Sequence, residues 1–199
     1  MFETEAEIDA LQALIDRSFA GAGPHLHAIM SPHRRLTARQ VVRYLQGIKH
    51  VALATVTARG EPRVAPLDSL FVHGRFVVTT GGRSKRLGHL RARPAVSLTH
   101  VIGDDVAVVV NGRAEIVERN DPRAAGFDAI ATEIYGSSPF SWGEGVVFIE
   151  IQPQTMFTYA PHRQRFPLIC SRISSSVFAR PSWITPTAEQ ICPGVQYPH

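Results

Sequence analysis

Cysteine is nearly missing from this chain: only Cys170 and Cys192 occur among 199 residues. Their spacing fits neither a zinc-binding set nor a Cys-x-x-Cys redox pair, so free thiols are expected in place of a metal or disulfide framework. No apolar run reaches the roughly 18 residues that a membrane-crossing helix needs. The opening Met1-Phe2-Glu3-Thr4-Glu5 is acidic, unlike a secretory leader. These absences set the expectation of a cytoplasmic protein with no membrane partner. A glycine-rich dinucleotide fingerprint and a phosphate-binding P-loop are lacking as well. No Ser-His-Asp order and no close pair of carboxylates announces itself, so the catalytic residues stay unknown at this level.

What is present describes a globular protein of ordinary make-up, 44% hydrophobic and 19% charged. The 21 basic residues exceed the 17 acidic ones by four. They gather at Arg34-Arg35, Arg83–Arg93 and Arg163–Arg172. An anionic small molecule or a nucleic acid would each use such clusters. Aromatics do not alternate with the Arg83–Arg93 cluster, which argues against a stacking platform for single strands. A small-molecule partner is expected, and no nucleic acid.

Apolar residues at Ile8, Leu11, Leu14, Ile15 and Phe19 recur at helical spacing, predicting an amphipathic helix over residues 3–20. Its apolar stripe must be buried, most simply over one open end of the fold. Residues 24–35 read as a loop carrying His25, His27, His33 and two arginines. Thr37 with Gln40 forms a capping-box pattern opening a second helix. From Lys49 the pattern becomes strand-like: Val51–Thr57, a turn at Arg59-Gly60-Glu61-Pro62, then Arg63–Leu67, Ser69–Val72 and Phe76–Thr80. Ala95–Val101 and Asp105–Glu118 follow. By local rules Asn111-Gly112 signals a hairpin; a bulge inside one long strand is the alternative. Asp121-Pro122 reads as a helix N-cap with Pro at the first helical position, and Val146–Gln152 is the last strand. Six or seven strands with few helices favour a closed antiparallel barrel over alternating βαβ units. The organisation expected is an N-terminal helix and loop over 1–36, a barrel over 37–161, and a Pro- and Ser-rich tail over 162–199.

Arg83-Ser84-Lys85-Arg86 carries the clearest functional signal. It follows a strand and the Gly81-Gly82 turn and opens a short helix. Unpaired N–H groups, a hydroxyl and three cations suit a phosphate. A solvated basic loop is the other reading of those four residues.

The ordered set Val51–Val56, Pro62–Leu67, Phe76–Thr80, Ser84-Lys85-Arg86, Leu90–Leu98 and Gly112–Glu115 resembles the pyridoxamine 5′-phosphate oxidase-like flavin-binding split-barrel superfamily. The likeness covers roughly residues 37–160 and looks nearest to the branch of deazaflavin (coenzyme F420)-dependent reductases. It implies a six-stranded antiparallel split β-barrel with peripheral helices, mainly β, assembled as a homodimer with the flavin at the interface. It implies that Arg83, Ser84, Lys85 and Arg86 bind the cofactor phosphate. Thr79 and Thr80 would lie beside the ribityl chain. Arg63, Val64, Ala65 and Pro66 belong to the strand that would run along the ring. It also implies one bent strand over Asp105–Glu118, against the local hairpin reading. The cofactor would be coenzyme F420 or riboflavin phosphate (FMN), with Arg91 and Arg93 broadening the basic surface in favour of F420. The activity implied is two-electron transfer to a small unsaturated or aromatic substrate. The alternative is a flavin- or haem-holding carrier or sensor without turnover. An arginine-rich segment ending in Leu-Ala-Pro, which true pyridoxamine phosphate oxidases carry near the C-terminus, is lacking.

Remaining residues keep two readings each. His100, Tyr135 and His73 are candidate proton donors or structural groups. Trp142 would cap the flavin from the partner chain or pack at an interface. His25, His27 and His33 lack a carboxylate or cysteine at ligand spacing, so no metal site is expected.

Overall fold

The computed structural model describes residues 2–166. Six strands form a closed barrel: β1 (Lys49–Val56), β2 (Pro62–Val72), β3 (Arg75–Thr80), β4 (Ala95–Ile102), β5 (Val106–Val117) and β6 (Val147–Tyr159). Their order around the ring is β1-β2-β3-β6-β5-β4, and every neighbouring pair is antiparallel. The helices are α1 (Glu5–Ala20), α2 (Pro24–Ile29), α3 (Ala38–Tyr44), α4 (Lys85–Ala92) and α5 (Ala124–Tyr135).

Helix starts follow their capping chemistry. Thr4 caps α1 and Thr37 caps α3, each answered by the side chain three residues on, Glu7 and Gln40. The buried stripe of α1, Ile8, Leu11, Ile15 and Phe19, joins one core with Val51, Leu53, Phe71, Phe76, Val108 and Met156 of the barrel. Ser18 ties the helix to β6, its Oγ accepting from the Met156 N–H at 2.9 Å. Glu7 meets His73 of the β2–β3 turn at 3.1 Å. A second core lies under α5, where Ala124, Phe127 and Ala131 cover Leu70, Val72, Val77, Val117 and Phe148. Arg123, just ahead of α5, and Arg75 of β3 each donate to the buried Glu150 carboxylate, at 2.6 and 2.8 Å. Arg123 also reaches Glu115 and Asp121.

Four local readings change. Asn111-Gly112 is not a hairpin turn: β5 runs unbroken through it, and the register slips against Thr155 and Pro153 of β6. A β-carbon on Gly112 would come within 2.1 Å of the Gln152 carbonyl oxygen, so glycine serves close backbone approach at a bulge. Arg63–Leu67 and Ser69–Val72 are halves of the single strand β2; Asp68, between them, is exposed and pairs with His50. The Asp121-Pro122 pair caps a turn, not the helix: Asp121 Oδ1 accepts from the Arg123 N–H, and α5 begins at Ala124. Residues 24–35 contain α2 and a 3₁₀ turn at Pro32–Arg34, each started by a proline.

At the C-terminal end, a 3₁₀ turn spans Arg163–Arg165. The Phe166 ring meets Tyr44 edge-on at 5.1 Å. Cys170, Cys192 and the rest of the expected tail lie outside the described residues.

Candidate functional site

Strand β2 positions the site. From Pro62 to Ser69 it pairs with β1, but only Ser69–Val72 pair with β3. Among the described residues no strand covers the second edge of Pro62–Asp68, so its backbone N–H and C=O groups stand open there. Two cavities lie along this stretch. The first, about 370 Å³, is lined by Arg63, Val64 and Ala65 of β2, Leu53 and Thr55 of β1, Thr57, and Lys85, Arg86 and His89 of α4. The second, about 340 Å³, is lined by Pro66, Leu67, Asp68, His50, Thr79 and Trp142.

The first cavity is electropositive, with Arg63, Lys85 and Arg86 and no carboxylate among its lining residues. His89 shares a side of α4 with Lys85 by i,i+4 spacing and with Arg86 by i,i+3 spacing. Ser84 caps this helix, its Oγ accepting from the Leu87 N–H at 3.2 Å. The same oxygen accepts the Thr80 hydroxyl at 2.8 Å, and Arg86 donates to Thr80 at 3.1 Å. A chain of bonds therefore joins the end of β3 to the first turn of α4. Burial lowers the Arg86 guanidinium pKa, yet arginine stays charged at neutral pH. His89 is oriented from below: its Nδ1 lies 3.2 Å from the buried Thr55 hydroxyl. Arg63 donates to Glu61 at 2.6 Å beside the cavity mouth.

In the second cavity His50 Nδ1 and Asp68 Oδ1 pair across strands at 2.8 Å. Trp142 is held by its own loop, donating Nε1–H to Ser137 at 2.9 Å and meeting Tyr135 edge-on at 5.0 Å. Trp142 remains 47% exposed.

Of the residues expected at a cofactor, Arg63, Val64, Ala65, Lys85 and Arg86 meet in the first cavity, while Pro66 and Thr79 line the second. Thr80 and Ser84 order the turn between them. Arg83 is exposed and lines neither cavity. Arg91 and Arg93 do not extend the basic wall: Arg91 is bonded to Glu118 at 2.8 Å and Arg93 to the Val56 carbonyl at 3.1 Å. Sequence reasoning missed His89, Thr55, Thr57, Asp68 and His50. The i,i+4 step from Lys85 was a usable signal for His89; the others depend on strand register.

Of the proton-donor candidates, Tyr135 packs against Trp142 of the second cavity, while His100 and His73 line neither cavity. His100 is buried, its Nδ1 bonded to the His50 carbonyl at 2.8 Å and its Nε2 to the Tyr44 hydroxyl at 2.7 Å. A carbonyl only accepts, so Nδ1 carries the proton and Nε2 accepts from Tyr44. His73 sits in the β2–β3 turn at φ 52°. His27 contacts Arg35, and His33 contacts Ser31. Among the described residues no group of three His, Cys, Asp or Glu side chains is placed to hold a metal, and no helix is long and apolar enough to cross a membrane.

Comparison with solved structures finds the same fold in distant relatives. A conserved hypothetical protein of Mycobacterium tuberculosis superposes with a TM-score of 0.58 at 18% identity, covering 73% of this chain and 98% of that one. The haem storage protein HutZ of Vibrio cholerae gives 0.52 at 21%, covering 63% and 95%. An FAD-binding protein of Mesorhizobium loti gives 0.51 at 23%, covering 63% and 93%. No curated protein matches by sequence. The pyridoxamine 5′-phosphate oxidase family matches residues 37–160, a span that holds the whole barrel, the open edge of β2 and the basic start of α4; the chain belongs to that family.

Proposed function

We propose that this chain is an oxidoreductase that binds a flavin-type cofactor, coenzyme F420 or FMN, and uses it for two-electron transfer with a small unsaturated or aromatic substrate. The supporting observation is the first cavity: three cations and no carboxylate, beside an unpaired strand edge, within the family-matched segment. These residues fit a phosphate-bearing planar cofactor. Lys85, Arg86 and Arg63 would hold the phosphate through charge-assisted bonds. The open edge of β2 offers backbone groups to the polar rim of a ring, and Trp142 offers an aromatic wall. When bound, the cofactor supplies the hydride chemistry; this chain's residues orient it and exclude water.

The active unit in this proposal is a cytoplasmic homodimer. The outward face of β1 and β4 presents Ala52, Ala54, Ser97 and Thr99, small and uncharged. Val64, Val101 and Ile102 flank it at 67%, 56% and 52% exposure. Such a face suits a second copy at the mouth of the groove.

The test is titration of purified protein with FMN and with reduced F420, followed by oxidation assays on quinones, nitro compounds and enones. The paired change Lys85→Ala with Arg63→Ala is expected to weaken cofactor binding at least tenfold, each lost charge-assisted bond costing roughly 1.5–3 kcal/mol. Unchanged affinity in the folded double variant overturns the site. Tight binding without turnover on any acceptor returns the carrier reading.

A further inference from the structure

The first cavity contains one titratable group that the anion grip does not need for its permanent charge. His89 lies one helical turn beyond Lys85 and faces the same space. Its Nδ1 is 3.2 Å from Thr55 Oγ1, and Thr55 is 3% exposed. With Nδ1 engaged at the cavity wall, Nε2 is the ring nitrogen left for a ligand. A threonine hydroxyl can donate to a neutral ring or accept from a charged one, so this contact tolerates both states of His89.

We propose that His89 is a proton-carrying member of the anion cradle, which tunes the site toward a terminal, dianionic phosphate monoester over a singly charged phosphodiester. This rests on the cofactor reading above and sharpens it. Besides His89, the charged residues lining the cavity are all cations. Lys85 and Arg86 come from its own helix. Arg63 comes from β2 and is bonded to Glu61; Thr55 and Thr57 of the β1 side are neutral. Arg93 at the helix end turns to the Val56 carbonyl, and Glu118 is held by Arg91.

A phosphate dianion reverses the local field. His89 then takes up one proton from solvent: Nε2–H donates to a phosphate oxygen and Nδ1–H to Thr55. Binding is thereby coupled to proton uptake. A diester, with one negative charge, compensates the cations less and draws that proton less strongly. FMN ends in a monoester and F420 carries a diester, so the device favours FMN near and just below neutral pH.

The experiment is isothermal titration of the full chain with FMN, riboflavin and F420 between pH 6.5 and 8.0, in buffers of different ionisation enthalpy. Above pH 6.5 FMN stays largely dianionic, since a phosphate monoester loses its second proton near pH 6. For the wild type, FMN affinity is expected to rise about fivefold on going from pH 8.0 to 6.5, with net proton uptake. His89→Gln is expected to flatten that dependence, abolish the uptake and narrow the preference for FMN over F420. Thr55→Val, which leaves His89 in place but unheld, is expected to give an intermediate result. Proton uptake that persists in a folded His89→Gln protein overturns the inference while leaving the anion grip standing. Equal affinity of the wild type for FMN and riboflavin overturns the phosphate grip itself.

Discussion

Gly82 and Gly145 are in backbone contact: a β-carbon on Gly82 would lie 2.7 Å from the Gly145 carbonyl oxygen. The turn before the basic helix is thus seated directly on the loop that carries Trp142. Gly145 itself sits at φ 63°, a left-handed conformation in which glycine is unstrained. Gly82→Ala must displace either the turn or the loop. The expected outcome is a folded protein whose FMN affinity falls about tenfold or more, since small misplacements of a preorganised site are expensive. Titration of the variant beside wild type checks it, and unaltered affinity refutes it.

Gly112→Ala is expected to act on stability instead. The added carbon would sit 2.1 Å from the Gln152 carbonyl oxygen, and the obstruction is backbone on a paired strand. Overpacking of this kind costs about 1–3 kcal/mol or more. In a domain of this size each kcal/mol shifts the unfolding midpoint by roughly 2–4 °C. Thermal unfolding reads the effect; a midpoint within a degree of wild type counts against it.

The Arg123 cluster predicts an acid dependence. Hydrogen bonds from Arg123 hold the Glu115 carboxyl below its usual 4.5 and lower Asp121 as well. A carboxylate depressed in the folded state stabilises fully above its unfolded value; that contribution fades as pH falls through the folded one. Arg123→Ala is therefore expected to lower stability by about 1–2 kcal/mol at pH 7, a figure kept small because the guanidinium is 40% exposed. The deficit should shrink below pH 4.5, where the wild type loses the same bonds. Denaturant unfolding at pH 7 and pH 3.5 measures both; a deficit constant across that range is the contrary result.

His100 predicts a second dependence near neutrality. Burial lowers its pKa from the usual 6.5, and burial also pushes the Tyr44 phenol up to about 12. The folded state holds a neutral imidazole, so stability is full above pH 6.5 and declines as pH drops and the unfolded chain takes the proton first. Tyr44→Phe removes the donor to Nε2. It is expected to cost about 1 kcal/mol at pH 7.5 and to reduce the loss between pH 7.5 and 5.5, because the neutral ring loses the bond that favoured it. An unchanged pH slope would set that account aside.

Much of the barrel was legible because its signals are local. The capping box at Thr37, the β-branched runs and the Gly81-Gly82 turn each act within a few residues. Asn111-Gly112 misled local reasoning for a physical reason: the need for glycine comes from Gln152, forty residues away across the ladder. Asp121-Pro122 misled it because an Asx turn and a helix cap use the same carboxylate bond to a following N–H. The basic segment at Lys85 and Arg86 is legible because its helix start, capped by Ser84, is visible in sequence. Thr55, His50 and Asp68 were missed, since which face of a strand looks into a cavity follows from register. Arg83 belongs to the same basic turn as Ser84, Lys85 and Arg86 but lines neither cavity, because the direction of a turn residue is set by the turn's geometry.

The bonded run from Arg86 through Thr80 to Ser84 and the Leu87 amide bears on speed. The entropy of ordering this turn is spent when the barrel folds. An arriving anion meets groups already in position and needs little rearrangement to dock. Association should then be governed by diffusion and by the attraction of the basic wall, rising as ionic strength falls. Slow, salt-insensitive capture would belong to a site that assembles around its ligand.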